Sequence, residues 1–519
     1  MKKLYISFLF AILRIAVCAQ PSIQWQKCLG GTNQDVATST KQTTDGGYII
    51  TGYSYSNNGD VSGNHGNWDI WLVKLDGLGN IQWQKCLGGT GDDFGRSVDQ
   101  IADGGYIVTG YTDSNDGDVS GNHGGFSLGD VWVVKLDSVG NIQWQRCLGG
   151  TNDDAAYSIK QTIDGGYILG GCTSSNNGDV SGIHGNRDIW VVKLDDLGNI
   201  QWQKCLGGTL VENSYSIQQT VDSGYILVGE TFSNNGNVIG NHGGVNNPND
   251  IWVVKLDGLG NIQWQRCLGG TSNDNGYSIQ QTFDGGYILI GQTQSNNGDV
   301  SGNHGSFDVW VVKLDNLGNI QWQKCFGGTG PDGGFFINLT IDGGFILTGA
   351  TDSNDGDVNG NHGNRDIWVV KLDNLGNIQW QKCLGGTLDE NSPSIQQTMD
   401  GGYIIKGGTY SNDGDVSGNH GTSGITVDVW VVKLFATVGL NEIFQADLIS
   451  VFPNPTTGIL NIESNEAIKQ IEVFDMLGKL VLTIGYEKQI DLSNLNSGLY
   501  LIRFTSENGV EQRRVEVSR

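Results

Sequence analysis

The tetrapeptide WQ(K/R)C occurs seven times between Trp25 and Cys383, at intervals of 58, 61, 58, 62, 58 and 58 residues. A second motif, (I/V)W(V/L)VKL, keeps step with it, its tryptophans falling at Trp71, Trp132, Trp190, Trp252, Trp310, Trp368 and Trp430. These fourteen and Trp68 account for all 15 tryptophans. A repeat of this length marks an array of small supersecondary units that share one core, and 519 residues are too many for a single ordinary domain. Within one unit, Asn141 to Leu194, four β-prone runs follow one another: IQWQRCL, AYSIKQT, GYILGGC and DIWVVKL. Each has strand length and none has helical periodicity. Hairpin turns separate them, as at Asp164-Gly165-Gly166 and from Asp195 to Asn199, where glycine supplies the positive φ. The 81 glycines against 6 prolines fit a repetitive chain, and they show no three-residue period of the collagen kind.

Each unit reads as a four-stranded antiparallel sheet, and seven of them make either an open solenoid or a closed propeller. The ends of the array separate the two. It begins with a lone run of the first type, Ile23 to Leu29, and finishes at Leu434 with a run of the fourth type that has no partner after it. Both are satisfied if these two strands pair, closing the ring in the way of WD-repeat propellers. The expected fold is all-β: a seven-bladed β-propeller of four-stranded blades over residues 20–436, with AYSIKQT innermost and IQWQRCL outermost.

Two flanking segments differ from the repeats. Residues 1–19 place Lys2 and Lys3 before the apolar run Leu4 to Leu13 and end in Val17-Cys18-Ala19, the pattern of a signal peptide cleaved near Ala19. The run stops at Arg14, short of the roughly 20 residues that a spanning helix needs. Cys18 leaves acylation as an alternative, against which stands the bulk of Val17. No later stretch is apolar enough to cross a membrane. After a linker at 437–447, residues 448–519 lack tryptophan and show alternating strands at Gly458 to Glu463, Ile468 to Phe474, Leu480 to Ile484 and Leu499 to Thr505. The segments VFPNPTTGILNI from Val451, IEVFDMLGKLV from Ile471 and IDLSNLNSGLYLIRF from Ile490, with Arg513 and Arg514 near the end, resemble the C-terminal sorting domain of type IX secretion cargo from the Bacteroidota. That resemblance implies a small β-sandwich, handling by the secretion machinery and delivery outside the cell.

A formal charge of −25 disfavours nucleic acid and anionic lipid, which need a basic footprint, and leaves neutral or cationic ligands open. The fourteen repeated tryptophans are inter-blade core by their aliphatic neighbours at period two, with sugar stacking the competing role. Cys28, Cys86, Cys147, Cys205, Cys267, Cys325 and Cys383 stand at one strand position, too far apart for disulfides, and Cys172 stands elsewhere. The loop between second and third strands carries all 7 histidines: His65, His123, His184, His242, His304, His362 and His420. The length variation falls in the same loop, so it and the outer-to-inner connection mark a recognition face, to which Trp68, present in one blade only, adds an aromatic ring. Asp60, Asp118, Asp179, Asp299, Asp357 and Asp415 offer oxygens to calcium or make turns; Asn237 replaces the seventh. Otherwise no cofactor is indicated.

Residues that break the repeat, including Arg96, Asp99, Glu212, Glu230, Glu390 and Lys406, are scattered over several blades, and Glu230 and Lys406, near the ends of second strands, read as incidental surface or rim charges. No catalytic triad or phosphate loop stands out. The expected function is a secreted or cell-surface binding module, monomeric, engaging a polysaccharide or another surface polymer through its repeated loops. A surface scaffold without a ligand and a carbohydrate-active enzyme are the other readings.

Overall fold

The computed structural model describes residues 20–518 except 125–127, 244–247, 423, 437–448, 455, 465–467, 476–479, 486 and 507–509. The leader at 1–19 and the linker at 437–447 lie outside the described residues. Two compact units divide between Thr437 and Val438.

The first unit, Gln20–Thr437, holds seven four-stranded antiparallel sheets among its described residues. In the third repeat the sheet runs Asp154–Gln161, Tyr167–Thr173, Asp188–Leu194, Ile200–Leu206 in that spatial order, which is also the chain order. Inner strands contact one another from each blade to the next, and Asp35–Gln42 of the first contacts Glu390–Gln397 of the last, so they circle a common axis. The last sheet consists of Glu390–Gln397, Tyr403–Thr409, Asp428–Leu434 and, as its outer strand, Ile23–Leu29. Cys28 pairs with Trp430 there, as Cys205 pairs with Trp190 inside the third repeat.

Burial follows strand position. Second and third strands pack on neighbouring blades through both faces, which is why they read as unbroken apolar runs rather than alternating ones. The third-strand tryptophans are at most 2% exposed, and each indole N–H donates to a glutamine of the outer strand, as Trp71 Nε1 does to Gln84 Oε1 at 2.9 Å. Outer-strand tryptophans are half-buried, except Trp380, which is buried; each packs on an aromatic ring of the next blade, a tyrosine met edge-on in six cases, as Trp25 meets Tyr48 at 5.9 Å, and Phe345 in the case of Trp322. Both sets are core. The eight described cysteines are buried and free. At the turn after each inner strand, Gly46 takes φ +82° and Gly47 has no room for a Cβ, which would lie 2.2 Å from Leu75 O. The third-strand lysine bends back to this turn: Lys74 Nζ bonds Asp45 Oδ2 at 2.9 Å and Leu75 O at 3.0 Å.

Among its described residues the second unit has two sheets. Leu480–Gly485, Ile468–Asp475, Gly498–Ser506 and Val510–Val517 form one; Ile449–Phe452, Ile459–Ser464 and Gln489–Asp491 form the other. The four alternating runs of the sequence are strands, and three more join them. Ile449–Phe452 and Gln489–Asp491 are too short to show a period, and Val510–Val517 is rich in charge. Ile471, Val473, Ile502 and Phe504 are fully buried between the sheets.

Removal of residues 20–32 strips the outer strand from the last blade and leaves Asp428–Leu434 with an open edge. Thermal melting of this deletion should fall by roughly 5 to 10 °C; an unchanged melt would show that the pairing adds nothing to stability.

Candidate functional site at the channel mouth

On one face of the propeller, two carboxylates per blade are taken out of water. The first opens each inner strand. Asp35 accepts from Gly31 N at 2.7 Å, from Ser56 Oγ at 2.9 Å, and from the Ser54 hydroxyl. Burial pushes it up to about 6 despite these bonds. Glu212 and Glu390, which seemed to break the pattern, hold the same position and accept from Gly208 N and Gly386 N at 2.9 Å. They are buried members of the frame.

The second carboxylate opens each third strand and explains the histidines. His65 Nδ1 lies 2.6 Å from Asp69 Oδ2, and the His65 backbone N–H donates to the same oxygen at 3.0 Å. The arrangement recurs at His123–Asp130, His184–Asp188, His242–Asp250, His304–Asp308, His362–Asp366 and His420–Asp428, with ring distances of 2.6 to 2.8 Å. Every one of these aspartates is fully buried, and its Oδ1 is left without a hydrogen-bond partner. The imidazoles thus latch the long loop to the blade on side chains 35 to 41% exposed, and Nε2 of His362 and of His420 lies 3.9 and 3.8 Å from the Oδ2 of Asp415 and of Asp60. A glycine separates the two carboxylates at each blade junction: a Cβ on Gly30 would meet Asp35 Oδ2 at 2.6 Å and Asp428 Oδ1 at 3.1 Å.

The loop aspartates offered to calcium also hold turns. Asp60, Asp118, Asp179, Asp299 and Asp357 each point Oδ2 at the N–H of the first glycine after an outer strand, Gly30 for Asp60, at 3.3 to 3.4 Å. Asp415 lies with its Oδ2 3.9 Å from His362 Nε2. Among the described residues no three His, Cys, Asp or Glu side chains gather in a way that would hold a metal ion.

The residues that differ between blades behave otherwise. At the fourth position of the inner strand the chain carries Thr38, Arg96, Tyr157, Tyr215, Tyr277, Phe335 and Pro393. Tyr157, Tyr215, Tyr277 and Phe335 form an arc around the axis, successive ring centroids 5.3 to 5.4 Å apart. Arg96 continues it, its guanidinium carbon 5.7 Å from the Tyr157 ring centre and 5.6 Å from those of Tyr53 and Phe94. Trp68 packs on Tyr53 at 5.2 Å and on Phe94 at 6.2 Å. Of the residues singled out in the sequence for the recognition face, Trp68 is the one brought to the axis.

Small side chains in the last and first blades leave the circle open. A cleft of about 510 Å³ lies there, lined by Val36, Tyr53, Phe335, Asn391, Ser392 and Gly408 among others. Its wall is irregular because the inner strand of the last blade loses register between Asn391 and Ser394, with Ser392 at φ +51°. Lys406 props this bulge. Its Nζ donates to Ser392 O at 2.6 Å and Ala37 O at 3.0 Å; the side chain is only 2% exposed, and burial pulls its pKa down to about 7. Glu230 is likewise no surface charge. It accepts from Tyr215 OH and Asn213 Nδ2 at 2.9 Å and from Asn249 Nδ2 at 3.1 Å, fixing the arc from behind. Sequence reasoning missed this convergence because the residues come from seven repeats. The signal that finds it is the set of positions varying between otherwise near-identical units.

Residues 450–518 match the family model described as the secretion system C-terminal sorting domain. A segment of 160 residues is 26% identical to the regulatory protein FlaEY of Caulobacter vibrioides, covering 29% of this chain and 17% of that protein's length. Among solved structures, the chain is similar to BamB from Moraxella catarrhalis, with a TM-score of 0.35 and 14% identity over 79% of this chain and 88% of that one. It is also similar to the Pan2 WD40 domain of Neurospora crassa, with a TM-score of 0.40 and 11% identity over 78% of this chain and 95% of that one.

Two outcomes follow from the buried acids. Replacing His65 by Ala leaves Asp69 buried without its partner and should cost about 1 to 3 kcal/mol in urea unfolding; no cost would remove the latch. Burial raises Asp35, Asp93 and Asp250 to about 6, above the roughly 3.9 of the unfolded chain. Folding therefore takes up protons between these values, and stability falls as pH rises through that interval. Melting should be higher at pH 5 than at pH 7, where a flat profile or the opposite slope would contradict the assignment. Turn carboxylates such as Asp45, held down to about 2, act only at lower pH.

The chain is thus a β-propeller protein carrying a type IX secretion system C-terminal sorting domain at 450–518, and it is a secreted or cell-surface protein.

Proposed function

We propose that the propeller is a saccharide-binding module of the cell surface, whose binding site is the channel mouth. The observation that carries this reading is the distribution of variation: repeated residues build the frame, and side chains that differ between blades meet around the axis. An arc of aromatic faces beside amide and hydroxyl groups such as Gln292, Asn391 and Ser392 suits a sugar ring, whose C–H face stacks while its hydroxyls bond sideways. A polymer extending outward from the mouth would meet Trp68 and then the part-exposed imidazoles, which makes His65, His123, His184, His242, His304, His362 and His420 secondary contacts. The leader at 1–19, the linker at 437–447, calcium-independence of the loops and a monomeric mature chain belong to the same proposal.

The test is binding of the mature protein to a polysaccharide panel, followed by Tyr215→Ala and Tyr277→Ala. Removal of one stacking ring should weaken binding about tenfold or more; Tyr215→Ala also takes a hydrogen bond from buried Glu230 and should lower the melt, so Tyr277→Ala is the variant in which melting should change little. Binding to no saccharide, or binding indifferent to both tyrosines, would overturn the site; product release from the panel would make the protein an enzyme.

A further inference from the structure

Arg96 is the odd member of the circle. Its guanidinium is held over three rings, Tyr53, Phe94 and Tyr157, and among the described residues it makes no hydrogen bond or ion pair. That is unexpected in a chain of net charge −25, where a free arginine has many carboxylates to choose from. Other arginines of the same unit find acceptors: Arg365 binds Asp352 with Nε at 2.7 Å and Nη2 at 3.0 Å, and Arg146 and Arg266 reach backbone carbonyls. The rings restrain the Arg96 plane, and its five N–H donors remain available at the edge of the mouth. Tyr53, under Arg96, also lines the cleft, so a ligand seated there and the guanidinium share one wall.

We propose that the mouth binds a saccharide bearing a single acidic group, a carboxylate or a sulfate ester, which Arg96 takes by paired N–H donors while the sugar ring lies along the aromatic arc. This rests on the saccharide reading of the mouth and specifies its ligand. One acidic group, rather than many, follows from the surroundings. A contact ion pair at Arg96 is local, whereas charges beyond about 8 Å are screened at physiological salt. A polyanion would lay its remaining charges across a face rich in aspartate, including Asp92, Asp113 and Asp153, where burial first, and then the charges of Asp92 and Asp153, raise Asp113. The overall charge thus disfavours polyanions, as it disfavours nucleic acid and anionic lipid, but not a lone acid at this one point.

The experiment measures binding of the mature protein to neutral oligosaccharides that carry one uronic acid or one sulfate ester. Each is compared with its carboxyl-reduced or desulfated counterpart, and oligogalacturonate serves as the polyanion. The singly acidic form of at least one pair should bind about tenfold or more tighter than its neutral partner, as charge-assisted hydrogen bonds to guanidinium imply. Which pair shows the gain tells carboxylate from sulfate. Arg96→Gln should bring the acidic form to the level of the neutral one and leave the neutral one unchanged, and Arg96→Lys should recover part of the gain. If Arg96→Gln fails to fold, the paired comparison on the unaltered protein decides. Equal binding of acidic and neutral partners overturns this inference while leaving the saccharide site standing. Tighter binding of the polyanion than of any singly acidic form also overturns it. Absence of binding to every member of the panel overturns the saccharide reading and this inference together.

Discussion

Buried carboxylates at one end of every blade hold this propeller in register. Each acid at the head of an inner strand gathers the glycine turn from the outer strand and the hydroxyls of the second strand; each aspartate at the head of a third strand gathers a histidine and its backbone N–H. Burying an ion is costly unless it is hydrogen-bonded, and here the bonds come from segments far apart in sequence. The acids therefore convert their own desolvation into a constraint on loop geometry. Because the two carboxylates of a junction face each other across one glycine, as Asp35 and Asp428 do across Gly30, neighbouring blades are locked through the same points. Closure between Ile23–Leu29 and Asp428–Leu434 completes that lock, since Asp428 belongs to the strand on which the amino-terminal segment pairs.

The frame leaves little chemistry for a ligand in its repeated parts. Imidazole Nδ1 atoms, serine hydroxyls and most loop carboxylates are engaged with the protein itself. What remains free to differ sits toward the axis: the second and fourth inner-strand positions, the sixth second-strand position, and the residue before each third strand. Even there the backbone is repeated. The carbonyl of Trp68 accepts from Asp93 N at 2.6 Å just as the carbonyl of Phe307 accepts from Asp332 N at 2.6 Å, while one side chain joins the aromatic cluster and the other lines the cleft. A rigid scaffold that varies only its rim side chains is well suited to holding a ligand in one place.

Much of this architecture was legible in the sequence because it is written locally. Period, turn residues and strand length are short-range properties, and seven copies average away the ambiguity of any one; the unpaired runs at the two ends pointed to the same pairing that the structure contains. The roles of the acids were not legible. An aspartate beside glycine and asparagine has turn chemistry as its ordinary explanation, and nothing in the residues around Asp69 says that it is fully buried. Its partner His65 looked available for ligands for the same reason. Lys406 and Glu230 misled in the opposite direction, since charge suggests exposure, yet one props the backbone of Ser392 and the other anchors Tyr215 from inside. Arg96 and the tyrosines of the arc could be related only once the inner strand was known to be innermost, when residues some 60 positions apart become neighbours. In the carboxy-terminal unit, the strands too short or too charged to alternate were those that pattern alone passed over.

The proposed function places recognition at one asymmetric mouth and not at seven equivalent loops. Stoichiometry tests it most directly. Calorimetric titration of the mature protein with a short oligosaccharide, too small to bridge two blades, should saturate at one molecule per chain. Saturation at seven equal molecules per chain would place binding in the repeated loops and contradict the claim.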